Sequence, residues 1–361
     1  MSRFVQCLDL CKLFYHEIVQ PVMDSGFPGL PYAAAVIGGG SEVLGFDDVI
    51  SSDHDWGPHV TLFLNEDDYI QSGSVVHNAL SDGLPPTFQG YLVNMKSDGP
   101  FSHDCRCTEV QTMRSFIHPY LNFDINNDIE QLDWLTFSEH KLRSITSGAV
   151  YHDDIGLQVL RDRFAYYPRD VWLYLILAGW NRVGQEEHLM GRAGSVGDEL
   201  GAAIMASRLV RDLMRLCFLM ERQYAPYCKW FGTAFGKLKC ASELAITLRE
   251  IQLAKTWGDR EKHFSAAWEH IGMIHNNLGI TEPIKVEYSS FFTRPYRVCN
   301  IRCNSGSFVE AIRAQIKDPN INRLAFRGLF GGIDQMSDNT DFLDNASWRH
   351  TLKGLYELAS S

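Results

Sequence analysis

Asp53 and Asp55 stand two residues apart behind a glycine turn. The stretch reads Ile37-Gly38-Gly39-Gly40-Ser41, then eleven residues, then Asp53-His54-Asp55. Side chains alternate along an extended segment, so these two carboxylates would share one face of a sheet and His54 would point to the other. Glycine carries no side chain, so a turn at Gly39, Gly40 and Ser41 lets backbone N–H groups and a hydroxyl approach a phosphate. Paired hard oxygen ligands suit Mg²⁺, which takes one or two protein carboxylates and completes its shell with water and phosphate oxygens. The chemistry these residues suggest is a metal–triphosphate site. Asp-x-Asp alone is common, and Ser51-Ser52-Asp53 is also ordinary turn composition. The glycine turn upstream and the alternating Val60–Leu64 downstream give the pair its weight. Ser41 has a second use, as N-cap of a helix beginning at Glu42, and a helix start is itself an anion site.

This stretch resembles the signature of the nucleotidyltransferase superfamily with the polymerase beta-like fold: an apolar residue, Gly, Gly or Ser, a spacer, then Asp-x-Asp. Three further segments narrow the resemblance to the DUF4037 branch, a domain of unknown function. They are Ile145-Thr146-Ser147-Gly148-Ala149-Val150-Tyr151-His152-Asp153-Asp154, Tyr224-Ala225-Pro226-Tyr227-Cys228-Lys229-Trp230 and Gly332-Ile333-Asp334-Gln335-Met336-Ser337-Asp338. The superfamily implies a reaction class: Mg²⁺-dependent transfer of a nucleoside monophosphate from an NTP to a small-molecule or protein acceptor. The branch implies no substrate. Asp53 and Asp55 would be the metal carboxylates, and Gly40-Ser41 the phosphate turn. Two-metal transfer usually needs a third carboxylate, which the resemblance puts on the strand beside the Asp-x-Asp strand. Glu109, sharing a face with Gln111 in Thr108-Glu109-Val110-Gln111-Thr112, fits that place, and Asp133 competes with it. Loss of the third carboxylate would leave the alternative, a catalytically silent nucleotide-binding or regulatory protein of the same fold.

Further along, Lys229 beside Trp230 and Tyr227 offers a cation and aromatic faces for a phosphate or a base, against plain packing of an aromatic helix junction. Arg208, Arg211, Asp212 and Arg215 read first as a solvated helix face with paired charges. Arg192, between Gly191 and Gly194, could hold an anion from a flexible loop. His152, Asp153, Asp154 and His188 read as surface or capping residues, and Asp334, Asp338, Asp341 and Asp344 as an acidic loop without calcium-loop spacing.

The net charge of −11 argues against a large nucleic-acid surface, which needs a basic excess. None of the nine cysteines forms a Cys-x-x-Cys pair, so no structural zinc site is expected; Cys7/Cys11 and Cys299/Cys303 could pair, but buried or free thiols in a reducing cytosol are the expectation. Asp9, Lys12 and Glu17 interrupt the N-terminal apolar region, which excludes a signal-peptide core. No uncharged apolar run of about 18 residues follows, and a cytoplasmic protein is expected.

The elements that must position these residues form an α+β chain. Helical spacing runs over residues 4–23, ending near Pro21. Strands are expected at Tyr32–Ile37, Asp55–Leu64, Phe88–Met95 and Thr108–Met113, with a helix from Arg114. From Asp133 the pattern is mainly helical, and 285–302 looks extended again. The expected domains are a nucleotidyltransferase-type α/β domain with a small mixed sheet (1–130), a helical domain (131–284), and a C-terminal extended and helical segment (285–361) packing on both.

Overall fold

The computed structural model describes residues 4–51, 56–93, 107–299, 307–327, 329–337 and 340–360. The chain is α+β, mostly helical, with one mixed four-stranded sheet. It divides into two compact units, the first comprising residues 1–128 and 140–165, the second 129–139 and 166–361.

The first unit begins with α1 (Cys7–Phe14), whose Cys7, Leu10, Cys11 and Phe14 recur on one buried face at three- and four-residue spacing. Pro21 does not end this helix. A π-helical turn, Tyr15–Val19, carries it on into Gln20–Gly26, with Pro21 just past that turn. Strand β1 (Tyr32–Val36) follows and is buried along its whole length. Its alanines allow close packing on both faces. Ala33 and Ala35 meet Phe63 and Leu157, while Tyr32, Ala34 and Val36 join the cluster around Leu10, Phe14 and Leu62. Strand β2 is shorter than its sequence pattern suggests, running Val60–Leu64. After it, α2 (Glu66–Gly83) leads to a two-residue hairpin, Thr87–Phe88 with Tyr91–Leu92, in place of the longer strand expected there.

Strand β3 (Thr108–Thr112) runs directly into α3 (Met113–Leu121), and Thr112 and Ser115 form a reciprocal capping box at the junction. The chain then returns to the sheet. Helix α4 (Glu139–Thr146) is followed by β4 (Ala149–Asp153), a strand lying beyond the expected boundary near residue 130. The order is β3-β2-β1-β4. β1 is antiparallel to β2 (Ala35↔Thr61) and to β4 (Val36↔Ala149), whereas β2 and β3 run parallel (Thr61↔Glu109). Gly148 makes the β4 connection possible. Its φ of +75° is a left-handed conformation, and a Cβ there would fall 2.0 Å from the Val36 carbonyl oxygen. Arg161, in α5 (Leu157–Arg163), donates to the carbonyls of Ile145, Thr146 and Ser147 and so satisfies the end of α4.

The second unit is built on the hairpin of α6 (Arg169–Gly194) and α7 (Glu199–Met220), with Asp198 capping α7 through the Gly201 N–H. Gly179 lets them approach, since a Cβ there would lie 2.7 Å from Leu216. Helices α8 (Ala241–Leu253) and α9 (Trp257–Asn277) pack against them. Within 285–299 the extended part is a two-residue ladder, Ser289–Ser290 with Arg297–Val298. C-terminal helices Phe308–Arg313 and Pro319–Arg327 rest on α6, and α10 (Arg349–Ser360) closes on the latter. No helix among the described residues is long and apolar enough to cross a membrane.

Candidate functional site

The glycine turn follows β1 directly. Ser41 to Gly45 form a turn rather than a helix, closed by the Gly45 N–H on Glu42 O (3.0 Å) and the Phe46 N–H on Ser41 O (2.9 Å). Ser41 therefore caps no helix. Gly40 has a φ of +145°, and a Cβ there would lie 2.0 Å from the Glu42 carboxylate, so only glycine fits. Gly39 is exposed, and a Cβ at that position would meet nothing within 4 Å. Among the described residues, no acceptor meets the N–H groups of Gly39, Gly40 or Ser41. The turn thus carries amide donors with no acceptor among the described residues, beside the Glu42 carboxylate.

Sheet register fixes what lies beside this turn. Because Ala35 pairs antiparallel with Thr61, the C-terminal end of β1 adjoins the start of β2. The parallel pairing of Val60 with Thr108 brings the start of β3, and Glu109, to the same end of the sheet. Glu109 shares a face with Thr61 and is exposed. It also lines an open cavity of about 410 Å³ with Tyr69, Ser74 and His77 of α2 and Gln111. Asp53, His54 and Asp55 lie outside the described residues, a few positions ahead of Trp56.

Glu42 and His59 carry no mark in the sequence. Glu42 is buried, and its carboxylate lies 4.0 Å from His59 Nε2. Neither residue belongs to the Gly-Ser…Asp-x-Asp pattern, and only the fold brings them together.

The other candidates take structural places. Asp133 is buried and accepts from Arg349, from Lys353 Nζ (3.0 Å) and from the Glu130 N–H (3.0 Å). Burial holds the Arg349 guanidinium below its ordinary range, with Asp133 opposing that shift. Asp133 is thus committed to an internal ion pair. Lys229 is exposed on a 3₁₀ turn, Cys228–Trp230, its ammonium 5.0 Å from the Trp230 ring. Arg208 and Asp212 pair not along their own helix but across to α6, with Glu186 (2.7 Å) and Arg182 (2.9 Å), and Asp212 is largely buried rather than solvated. Arg192 is in the last turn of α6, not in a loop, and Gly191 and Gly194 there admit Tyr296 and Trp257. His152 pairs with Asp154 (2.7 Å) and stacks on Tyr32, while Asp153 accepts three N–H bonds at the start of α5. Asp334 is buried in a short helix, Ile333–Met336, rather than an open loop. Asp338 lies outside the described residues.

Residues 134–231 match the family model described as a domain of unknown function (DUF4037). That stretch covers α4, β4, α5, α6 and α7, and it leaves out the Gly38–Ser41 turn, Asp53, Asp55 and Glu109. No curated protein matches the chain.

Proposed function

We propose that the chain is a Mg²⁺-dependent nucleotidyltransferase that moves a nucleoside monophosphate from an NTP to a small-molecule or protein acceptor. The observation that carries this reading is the meeting of three features at one end of the sheet. They are the exposed glycine turn after β1, the start of β2 shortly after Asp53 and Asp55, and Glu109 at the start of β3. The N–H groups of Gly39, Gly40 and Ser41 and the Ser41 hydroxyl would orient phosphate oxygens. Asp53 and Asp55 would hold the ion, with room in a three-carboxylate set for a second. Mg²⁺, when bound, would offset the triphosphate charge and polarise the attacked phosphoryl group. Glu109 would take the proton from the acceptor hydroxyl as its oxygen bonds to the α-phosphorus and pyrophosphate leaves. In the second unit, Lys229 with Tyr227 and Trp230 is proposed as a further phosphate or base contact.

Nucleotide binding without turnover is the second reading. With Asp133 engaged by Arg349 and Lys353, this reading holds if Glu109 does not serve as the third carboxylate. The purified chain with Mg²⁺ and each γ-labelled NTP, supplied with a small-molecule extract as acceptor source, separates the two. Pyrophosphate release in wild type, lost in Glu109→Gln with nucleotide binding kept, is the expected result. Binding without release supports the silent reading, and failure to bind any NTP defeats both.

A further inference from the structure

Cys7, Cys11 and His59 converge in the first unit, one ligand atom from each lying within 4.8 Å of the others. Residues four apart on a helix share a face, which sets the two cysteines of α1 side by side, both fully buried. Cys7 Sγ and Cys11 Sγ are 3.7 Å apart, and Cys11 Sγ is 3.6 Å from His59 Nδ1. The Gly57 carbonyl oxygen faces all three, at 3.1 Å from Cys7 Sγ, 3.6 Å from Cys11 Sγ and 2.9 Å from Nδ1. A tetrahedral zinc with ordinary Zn–S and Zn–N bonds has S···S and S···N edges of about 3.8 and about 3.6 Å. The Cys7–Cys11 and Cys11–His59 separations match those edges, and the third edge, Cys7 to His59, is within 4.8 Å. Without a cation, two thiols and an imidazole N–H crowd onto one carbonyl with two lone pairs.

The frame around the cluster is fixed independently of it. Asp47 accepts from the Cys7 N–H (2.8 Å) and from Trp56 Nε1 (3.2 Å), and Trp56 stacks on Phe4. The His59 ring lies between the thiols at Nδ1 and the buried Glu42 carboxylate, 4.0 Å from Nε2. A carboxylate on the far nitrogen is the usual orienting partner of a zinc-bound imidazole.

We propose that Cys7, Cys11 and His59 form a zinc site, with the Gly57 carbonyl or a water in the fourth position. Two Zn–S bonds and one Zn–N bond form, two thiol protons leave to solvent, and the imidazole keeps its proton on Nε2. The two thiolates cancel the charge of the ion. The bound ion ties α1 to the segment that joins Asp53 and Asp55 to β2, so its role is to hold the chain just after the carboxylate pair. Cys7-x-x-x-Cys11 lies within the zinc-ligand spacings, but a single histidine 48 residues on completes none of the usual patterns, so nothing in the linear sequence groups His59 with the cysteines.

The site is independent of the nucleotidyl-transfer reading and is tested in excess Mg²⁺, a hard ion that does not compete for thiolates. The reduced full chain is titrated with Zn²⁺ against a chromophoric chelator, with circular dichroism as the check on folding. One ion per chain is expected, and Cys11→Ser and His59→Gln should each weaken binding at least about 100-fold. Cys228→Ser, which removes an exposed thiol elsewhere, should change nothing. X-ray absorption of the wild-type zinc complex should show two sulfurs at about 2.3 Å and remains decisive where a variant does not fold. No zinc uptake, wild-type affinity in a folded Cys11→Ser chain, dependence on Cys228, or a shell of nitrogen and oxygen alone would each overturn the proposal.

Discussion

Two glycine-rich stretches followed by an acidic residue have opposite fates in this molecule. In the second unit, Gly331-Gly332-Ile333-Asp334 is buried and its hydrogen bonds close internally. The Gly331 N–H meets Tyr174 Oη (3.3 Å), the Gly332 N–H meets Gln335 Oε1 (3.1 Å), and the Gly331 carbonyl accepts from Tyr356 Oη (3.1 Å). Asp334 accepts from the Glu139 N–H (2.8 Å). In the first unit, Gly39 and Gly40 are exposed, and their N–H groups find no acceptor among the described residues. Composition is alike in the two stretches. The destination of the hydrogen bonds separates a motif closed by internal packing from one whose donors remain open.

The largest effect expected from this contrast is in the second unit's buried charges. Arg349→Met leaves Asp133 buried with only Lys353 and the Glu130 N–H as partners. Removing one partner of a buried pair costs about 3–5 kcal/mol, so denaturant unfolding should show a loss of that order. The double variant Asp133→Leu/Arg349→Met should recover much of it. A loss below about 1 kcal/mol in the single variant would mean that the unit does not depend on its internal polar network.

His275 gives the next largest effect. It is buried, its Nδ1 accepts from Trp180 Nε1 (3.3 Å), and its Nε2 lies 3.2 Å from Thr281 Oγ1. The indole N–H is a donor only, so the imidazole is neutral with its proton on Nε2. Burial lowers its pKa to about 4. The unfolded chain then takes up the proton first as pH falls. Stability from this group is complete above the unfolded value near 6.5 and is lost between there and about 4, at about 1.4 kcal/mol per pH unit and about 3 kcal/mol in all. Tryptophan fluorescence during unfolding at pH 7.5, 6 and 5 should show the decline, and His275→Phe should flatten it. Equal pH slopes in the two proteins would exclude His275 as the source.

Lys229→Met carries the smallest expected effect and probes the contrast from the other side. Stability should change by less than about 0.5 kcal/mol, because the ammonium is exposed and methionine keeps the stem. Loss of a charge-assisted phosphate contact, about 1.5 kcal/mol, should weaken Mg²⁺–NTP binding about tenfold. Unchanged affinity would sharpen the contrast and remove Lys229 from the nucleotide-binding residues.

Much of the frame was legible in the sequence. Tyr32–Val36 is a short apolar run ahead of glycines, and Thr108–Thr112 is β-branched and ends in a capping residue, so both strands could be read from local pattern. α2 could not, because it buries only Gly73, Val76 and Leu80 across its length and shows little apolar periodicity. β4 was hidden for a different reason. Ala149–Asp153 is half-buried at best, and its strand character comes from pairing with β1, a partner over a hundred residues away. Pro21 reads as a helix end because a π-turn that absorbs it leaves no local mark. Glu42 and His59 were invisible for the same reason as β4, since each gains meaning only from a neighbour distant in sequence.

The central claim is tested most directly by calorimetric titration with Mg²⁺–ATP and Mg²⁺–GTP of wild type, Asp53→Asn and Asp55→Asn. Wild type should bind at least one of them, and only with Mg²⁺ present. Each substitution should weaken binding by at least about tenfold, the equivalent of one charge-assisted contact. Folding should be kept, because neutralising one of two neighbouring carboxylates relieves their repulsion. Nucleotide affinity equal to wild type in both variants would contradict the assignment of Asp53 and Asp55 to the metal.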